Sequence, residues 1–403
     1  MQLQVSARYS NAADIFTFLN IVLVVSFPFW PLLNSIAVVL LAACWLFLMP
    51  KSREAFHDNK LLIILFALPW FMLVAGSFYS ANLPEAFKMI RVAVPMLAFP
   101  VILGTISIDL AQLSKRVLIA FARAIGAAVL YCFVRGFYHL FADGTTEYMS
   151  GYNMISLKQT YPYILGLCCV TTVWIEYLYN FKLSGERTGL TDAQKLSLTN
   201  IILMSIFILL LGNRVVLMLW LFSILIVIFQ LVRTVRMRLL ISLVLVIALV
   251  AAFFAVPKLR YQVNDFADFS GNNRIQLDVD SSQGRSWGGK AIRVAIWTCA
   301  MDVVKSHPVP GVGTGDAQDS LQQAYENRKF YFASFYNRYN AHNQYLQATI
   351  TGGVISLFIL LSAFAFPFIR FAGKKGSVVY LIFLLSIMII FFTESMLETN
   401  KGI

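Results

Sequence analysis

The chain has 403 residues, of which 59% are hydrophobic and only 13% charged. Soluble domains carry about a quarter charged residues, so an ordinary soluble globule is excluded. Apolar runs of about 20 residues recur along the chain and mark a polytopic membrane protein. A net charge of +12 would raise nucleic acid as a partner for a soluble protein. Here the basic residues fall mostly in short loops between apolar runs, so topology accounts for much of the excess and no nucleic-acid partner is expected. The basic residues left in the one long loop suit an anionic substrate.

In chain order, the first two spans cover residues 15–29 and 32–49. They are separated at Pro28-Phe29-Trp30-Pro31, because proline ends a helix. The polar residues before them show no cleavable leader, and the first span is expected to serve as the signal. A charged loop at 51–60 precedes span 3 (61–79). Residues 82–88, a polar link or an interfacial helix, lead to span 4 (90–106). Span 5 covers 116–141 and span 6 covers 161–179, with a polar loop at 142–159 between them. Span 7 (198–211) and span 8 (215–231) meet at a tight turn, Gly212-Asn213-Arg214. Span 9 (239–256) is followed by the long polar loop, then by span 10 (344–371) and span 11 (378–393). The pattern predicts an all-α, polytopic integral membrane helical bundle of about 11–12 transmembrane helices, with one large loop between spans 9 and 10. By residue, spans 1–9 occupy 1–256, the loop with short helices 257–342, and spans 10–11 343–403. An odd count of spans suggests that a final span is missing.

Lysines and arginines crowd one set of short loops: Lys51, Arg53 and Lys60; Lys115 and Arg116; Lys182, Arg187 and Lys195; Arg233, Arg236 and Arg238; Arg370, Lys374 and Lys375. The positive-inside rule puts this set, with the amino terminus, in the cytoplasm. Parity then places the long loop outside, with Arg214 and the 142–159 loop.

Charges in or near spans are costly and so are candidates for function. Arg214, on its tight turn, either snorkels to the interface or holds a ligand beside exposed amides. Arg135 and His139 share a face of span 5 at i, i+4, and either face lipid headgroups or contribute to a site. Arg123 lies deeper and reads as structural. Lys158 begins span 6 on the outer side, and Arg91 begins span 4. In the long loop, residues 287–305 read as an amphipathic helix, with Arg293 and Trp297 on one face. Ser306-His307-Pro308 stops it. Pro310-Gly311-Val312-Gly313-Thr314-Gly315 follows a helix and lacks GK[ST], so it is no phosphate loop. It reads instead as a turn of exposed backbone amides near the site. His342, with Asn343 beside it, lies where the loop re-enters the bilayer. A lone histidine is more often structural, but basic residues on the same side favour chemistry, and histidine accepts protons near neutral pH. The five cysteines, Cys44, Cys132, Cys168, Cys169 and Cys299, form no CxxC pair and read as small buried residues. No acidic pair marks a metal site: Asp265, Asp268, Asp278 and Asp280 lie in a segment read as flexible loop.

Guanidinium groups clamp a diphosphate and offset the leaving group's charge, while a histidine deprotonates an incoming hydroxyl. On the outer face a sugar donor would be lipid-linked, which predicts glycosyl transfer from a polyprenyl diphosphate carrier.

Four patches carry a resemblance. They are Leu211-Gly212-Asn213-Arg214; Arg293-Val294-Ala295-Ile296-Trp297 with the glycine-rich turn; Ala341-His342-Asn343-Gln344-Tyr345-Leu346 with Gly352-Gly353; and Thr393-Glu394-Ser395-Met396-Leu397-Glu398. In order and topology the sequence resembles the O-antigen ligase / O-antigen polymerase family. After His342-Asn343 come nine residues and then Gly353, as in the ligases. Ser356 stands where they have Gly, Thr or Tyr. The resemblance implies a GT-C-like bundle of about 12 spans in the bacterial inner membrane, with its active site facing the periplasm. It implies metal- and cofactor-independent transfer, with inversion, of a glycan from undecaprenyl diphosphate to an acceptor such as lipid A–core. By motif the resemblance makes His342 the base or the acceptor-positioning residue, and Arg214 and Arg293 diphosphate-binding residues. Arg135, Lys158, Arg91, Asn343 and Tyr345 are added as substrate-binding candidates. Within the family the alternatives are a polymerase using the same donor and an enzyme attaching glycan to protein. Outside it stands a non-enzymatic transporter or flippase, disfavoured because no inverted repeat is seen and the charges cluster on one face instead of at the midplane.

Overall fold

The computed structural model describes residues 2–48, 51–155, 161–182, 191–232, 234–255, 289–374 and 377–398. Among these there is no strand, only one isolated bridge between Lys51 and Ile106. The helices are α1 (Gln2–Ser26), α2 (Pro31–Phe47), α3 (Arg53–Ser77), α4 (Leu83–Val92), α5 (Val94–Thr105), α6 (Leu110–Ala142) and α7 (Pro162–Tyr177), then α8 (Asp192–Leu211), α9 (Arg214–Leu231), α10 (Val235–Ala255), α11 (Gly289–Ser306), α12 (Ala317–Asn327), α13 (Gln344–Phe371) and α14 (Val378–Ile390). Among the described residues six helical stretches are long and apolar enough to cross a membrane, and four shorter apolar helices accompany them. The fold is the expected all-α polytopic membrane bundle.

Residues 82–88, read as a polar link or an interfacial helix, are helical and form the first turns of α4. Asn82 caps the helix, its side chain accepting from the Glu85 amide, and Pro84 occupies a first-turn position where no N–H is needed. Pro95 then enters the first turn of α5, where a ring without an N–H cannot continue the α4 hydrogen-bond ladder. Span 4 is therefore two helical pieces meeting at Ala93.

By packing, the chain divides into two units. The first is Met1–Pro50 with Ser107–Asn264, and the second is Lys51–Ile106 with Asp265–Ile403. In the first, α7 is buried along its whole length from Ile164 to Tyr177, as expected of a helix apolar on all sides. Its buried Glu176 accepts from Arg123 (3.0 Å), Asn200 (2.7 Å), Ser197 (2.6 Å) and Asn180 (3.1 Å). A carboxylate in an apolar bundle is tolerable only when it is paired and fully hydrogen-bonded in this way. That arrangement accords with the structural reading of Arg123.

The second unit is held by an interlock. α13 is broken at Gly352 and at Gly353, whose φ is 67°. The break releases the carbonyls of Ile350 and Thr351, which accept from Val312 N–H (2.9 Å) and Gly313 N–H (3.0 Å), while Val354 N–H donates to Pro308 O (2.9 Å). Thr314 N–H bonds Gly76 O, and Gly315 N–H bonds the Ser80 hydroxyl. Asp316 takes the amides of Ala81 and Asn82, each at 2.8 Å. This corrects the reading of the glycine-rich segment as a turn of exposed amides: the backbone donors of Val312, Gly313, Thr314 and Gly315 are consumed in tying the segment to α13 and to the end of α3. The amphipathic helix predicted at 287–305 is present as α11. With α12 it packs around Ile296, Cys299, Leu321, Tyr325 and Phe330.

A Cβ on Gly353 would lie 1.7 Å from Val309 O, in a backbone conformation that L residues rarely adopt. Gly373, at φ 76°, has open space around it. Gly353→Ala should therefore lower stability by more than about 3 kcal/mol, against about 1 kcal/mol for Gly373→Ala. Thermal unfolding of both variants in the same detergent checks the contrast.

Candidate active site

Three side chains far apart in sequence meet in the second unit. Glu394 follows α14, its amide still bonded to Ile390 O at 3.0 Å. One carboxylate oxygen accepts from Arg293 Nη2 of α11 at 3.0 Å, and the other lies 3.3 Å from His342 Nδ1. An ionised carboxylate only accepts, so against one Nδ1 is the donor, and in the neutral imidazole Nε2 is then the acceptor. The Glu394 side chain is 15% exposed, against 34% for Arg293 and 29% for His342. The carboxylate is thus the shielded centre, and the two cation-forming groups remain reachable from outside.

The backbone around His342 is tightly determined. Its φ is 43°, a left-handed conformation that costs a non-glycine residue about 1–2 kcal/mol. Asn340 Oδ1 accepts from its amide at 3.1 Å, and the Tyr339 ring meets the imidazole edge-on. Asn343 Oδ1 caps α13, taking the amides of Tyr345 and Leu346. Asn343 N–H bonds the Ser395 hydroxyl at 3.2 Å, Gln344 N–H bonds Phe391 O at 2.8 Å, and Gln344 Oε1 accepts from Leu397 N–H at 2.8 Å. The amino end of α13 is thereby stitched to residues 391–397, which fixes Glu394 against His342. On α11, Arg293 Nε and Trp297 Nε1 are buried N–H donors with no hydrogen-bond acceptor, one turn apart.

The structure brings two of the expected catalytic residues, Arg293 and His342, together through Glu394. Asn343 and Tyr345 make structural contacts: the first is the helix cap, and the second donates its hydroxyl to Met388 O at 2.8 Å. Arg91 lies in the last turn of α4. In the other unit, Arg214 is the first residue of α9. Gly212 ends α8 in the left-handed conformation at φ 61°, and Asn213 caps α9. Arg135 lies over the Tyr148 ring at 4.8 Å, and His139 stacks on that ring and pairs with Asp143 at 2.5 Å. The same loop is tied to the end of α8 by Gly151 N–H to Leu210 O. Lys158 and the acidic segment at 265–280 lie outside the described residues. Glu394 is the residue that sequence reasoning quoted but gave no role. Its signal was a lone carboxylate just past an apolar run, where most such residues merely end a helix.

Fold and site thus define a polytopic helical membrane protein with a histidine–carboxylate–arginine cluster. Residues 199–361 match the family model described as O-Antigen ligase, and the resemblance read from the sequence is borne out to that extent. The match includes Arg214, Arg293, His342 and Gly353, while Glu394 lies beyond it. The search of curated proteins gave no match.

Four residues past Glu394, burial pushes the Glu398 carboxyl up to about 7; Glu85 adds to the rise and Lys88 opposes it. The folded chain therefore keeps a proton that the unfolded chain releases between about pH 4.5 and about pH 7. Stability falls as pH rises through that window. Glu398→Gln should raise stability over the parent at pH 8, on the order of 1–3 kcal/mol, and leave it unchanged at pH 4, as read by thermal unfolding at both pH values.

Proposed function

We propose that this protein transfers a glycan from undecaprenyl diphosphate to an acceptor hydroxyl of lipid A–core, at the periplasmic side of the inner membrane. The observation that carries this reading is the Glu394 carboxylate shared between Arg293 and His342. In the proposed step the acceptor oxygen attacks the anomeric carbon from the side opposite the diphosphate. A C–O bond forms, the bond from that carbon to the phosphate oxygen breaks, and the configuration inverts. The acceptor's proton passes to His342 Nε2, and Glu394 stabilises the resulting imidazolium, as a carboxylate does for a catalytic histidine elsewhere. Undecaprenyl diphosphate leaves with the electron pair, its charge met by the Arg293 guanidinium. The unpaired N–H groups of Arg293 and Trp297 support an anion at this end of α11. Arg214 is assigned a charge-binding role by the family pattern, and Arg91, Arg135 and Lys158 are proposed as weaker contributors. Asn343 and Tyr345 act by holding the start of α13.

Purified protein, undecaprenyl-diphosphate glycan and lipid A–core, assayed with chelator present, should give glycosylated core. His342→Ala should lose about 10²–10⁴-fold in rate, and Arg214→Ala or Arg293→Ala about 10²–10³-fold. Glu394→Gln should retain donor binding while shifting the pH–rate profile, which a merely structural role would not do. Longer lipid-linked glycan made without the core acceptor would identify a polymerase. No product from any acceptor, with donor binding intact, would sink the reading.

A further inference from the structure

Among the described residues, backbone in the left-handed region occurs outside glycine only at Lys329 (φ 55°), Arg338 (φ 46°) and His342 (φ 43°). The first two are the corners of one short turn. Lys329 leads the chain out of α12, Phe332–Tyr336 makes a single π-helical turn, and Arg338 redirects the chain toward His342. The inner side of this turn is anchored. Phe330 and Ala333 are buried in the core that α11 and α12 share, and Asn337 Nδ2 donates to Phe332 O at 2.8 Å. Gln318 and Gln322 of α12 donate to Tyr339 O at 3.2 and 3.1 Å. The outer side carries Phe335, which is 80% exposed, and Tyr331 is exposed as well.

A lone exposed phenylalanine is ordinary on a protein surface. Two observations set this one apart. First, the chain sustains two unfavourable backbone corners and a set of side-chain hydrogen bonds, and their joint result is an aromatic ring held outside the core. Second, the turn belongs to the aromatic end of its unit. Arg370, at the far end of α13, bonds Asp58 O near the start of α3 at 2.7 Å, so α3 runs back toward the His342 end. Phe78, just past α3, is 86% exposed, and Phe392, just past α14, is exposed beside Tyr345. Rings gathered at the ends of spans occupy the membrane–water interface. The turn stands two rings from the foot of α13: Phe332 meets Tyr339 at 6.2 Å, and Tyr339 meets His342 at 5.3 Å. Each step is comparable to the depth of one headgroup layer, about 5–8 Å. We propose that the 330–337 turn is a membrane-contacting wedge, with Phe335 seated in the lipid surface at the His342 end, so that the lobe built on α11 and α12 lies on the bilayer. Lys329 and Arg338, both exposed, then stay among the headgroups, as long basic side chains do beside a buried apolar face. The proposal does not depend on the transfer reaction, and its test needs no turnover.

The test places a nitroxide on Phe335→Cys in the full-length protein, in nanodiscs of phosphatidylcholine and phosphatidylglycerol. The five native cysteines are buried, so the label goes to the introduced site. Phe358→Cys, on an exposed position of α13, serves as the lipid reference, and Asn327→Cys, exposed at the end of α12, as the aqueous one. Collisions with oxygen and with a water-soluble nickel chelate are read by electron paramagnetic resonance. At position 335 oxygen should dominate, giving a depth of about 5–10 Å into the boundary between headgroups and acyl chains, while nickel dominates at position 327. Nickel access at 335 equal to that at 327 would overturn the proposal, because the turn then faces water. Exclusion of both reagents would overturn it as well and assign the face to a second copy of the chain. Phe335→Trp keeps a ring in place and decides the matter if the labelled variant does not fold: phosphatidylcholine brominated along its acyl chains should quench it beyond the parent, and no added quenching would sink the idea.

Discussion

A broken helix in a bilayer has to find partners for the carbonyls it releases, because hydrocarbon offers none. In α13 that need is met by the glycine-rich segment, whose Val312 and Gly313 amides take the carbonyls of Ile350 and Thr351. The exchange is backbone to backbone, so it fixes geometry more firmly than side-chain packing would. It sets where α11 ends, where α12 begins and how the first two turns of α13 are held. Since Arg293 rides on α11 and His342 sits at the foot of α13, their separation follows from this interlock. Glu394 then closes the cluster from a third element.

The residue at the centre of the cluster is held in an unfavourable backbone state. A left-handed φ is ordinary for glycine and costly for histidine, yet His342 keeps it, supported by Asn340, Asn343 and Ser395. Strain maintained at a reachable, hydrogen-bonded histidine is a reason to look for function there. Glu394 explains how such a histidine becomes directional: by taking Nδ1–H it leaves Nε2 as the acceptor.

Much of the fold was readable because burial in lipid writes itself as hydropathy. Residues 344–371 read as a span and are helical as Gln344–Phe371, and the turn at Gly212-Asn213-Arg214 shows its caps in its residue types. The start of α4 was only half readable: Pro84, Glu85 and Lys88 suit a loop or a short helix equally while the Asp316 carboxylate, 234 positions away, is out of view. The role of the glycine-rich segment was hidden for the same reason. Glycines that expose amides and glycines that press two backbones together look alike until the second backbone is seen. Glu394 lies 101 residues from Arg293 and 52 from His342, and no local pattern joins such partners.

The second unit is discontinuous in sequence, and this bears on how the protein is made. Residues 51–106 leave the ribosome early, but Asp316, whose carboxylate holds the Ala81 amide, comes 235 positions later. At about 5–20 residues per second, the α3–α4 turn waits roughly 10–50 s for its partner, while residues 107–264 of the first unit are synthesised in between. α3, α4 and α5 therefore enter the bilayer as a half-finished body, shielded by lipid or by the insertion machinery until the last third of the chain arrives.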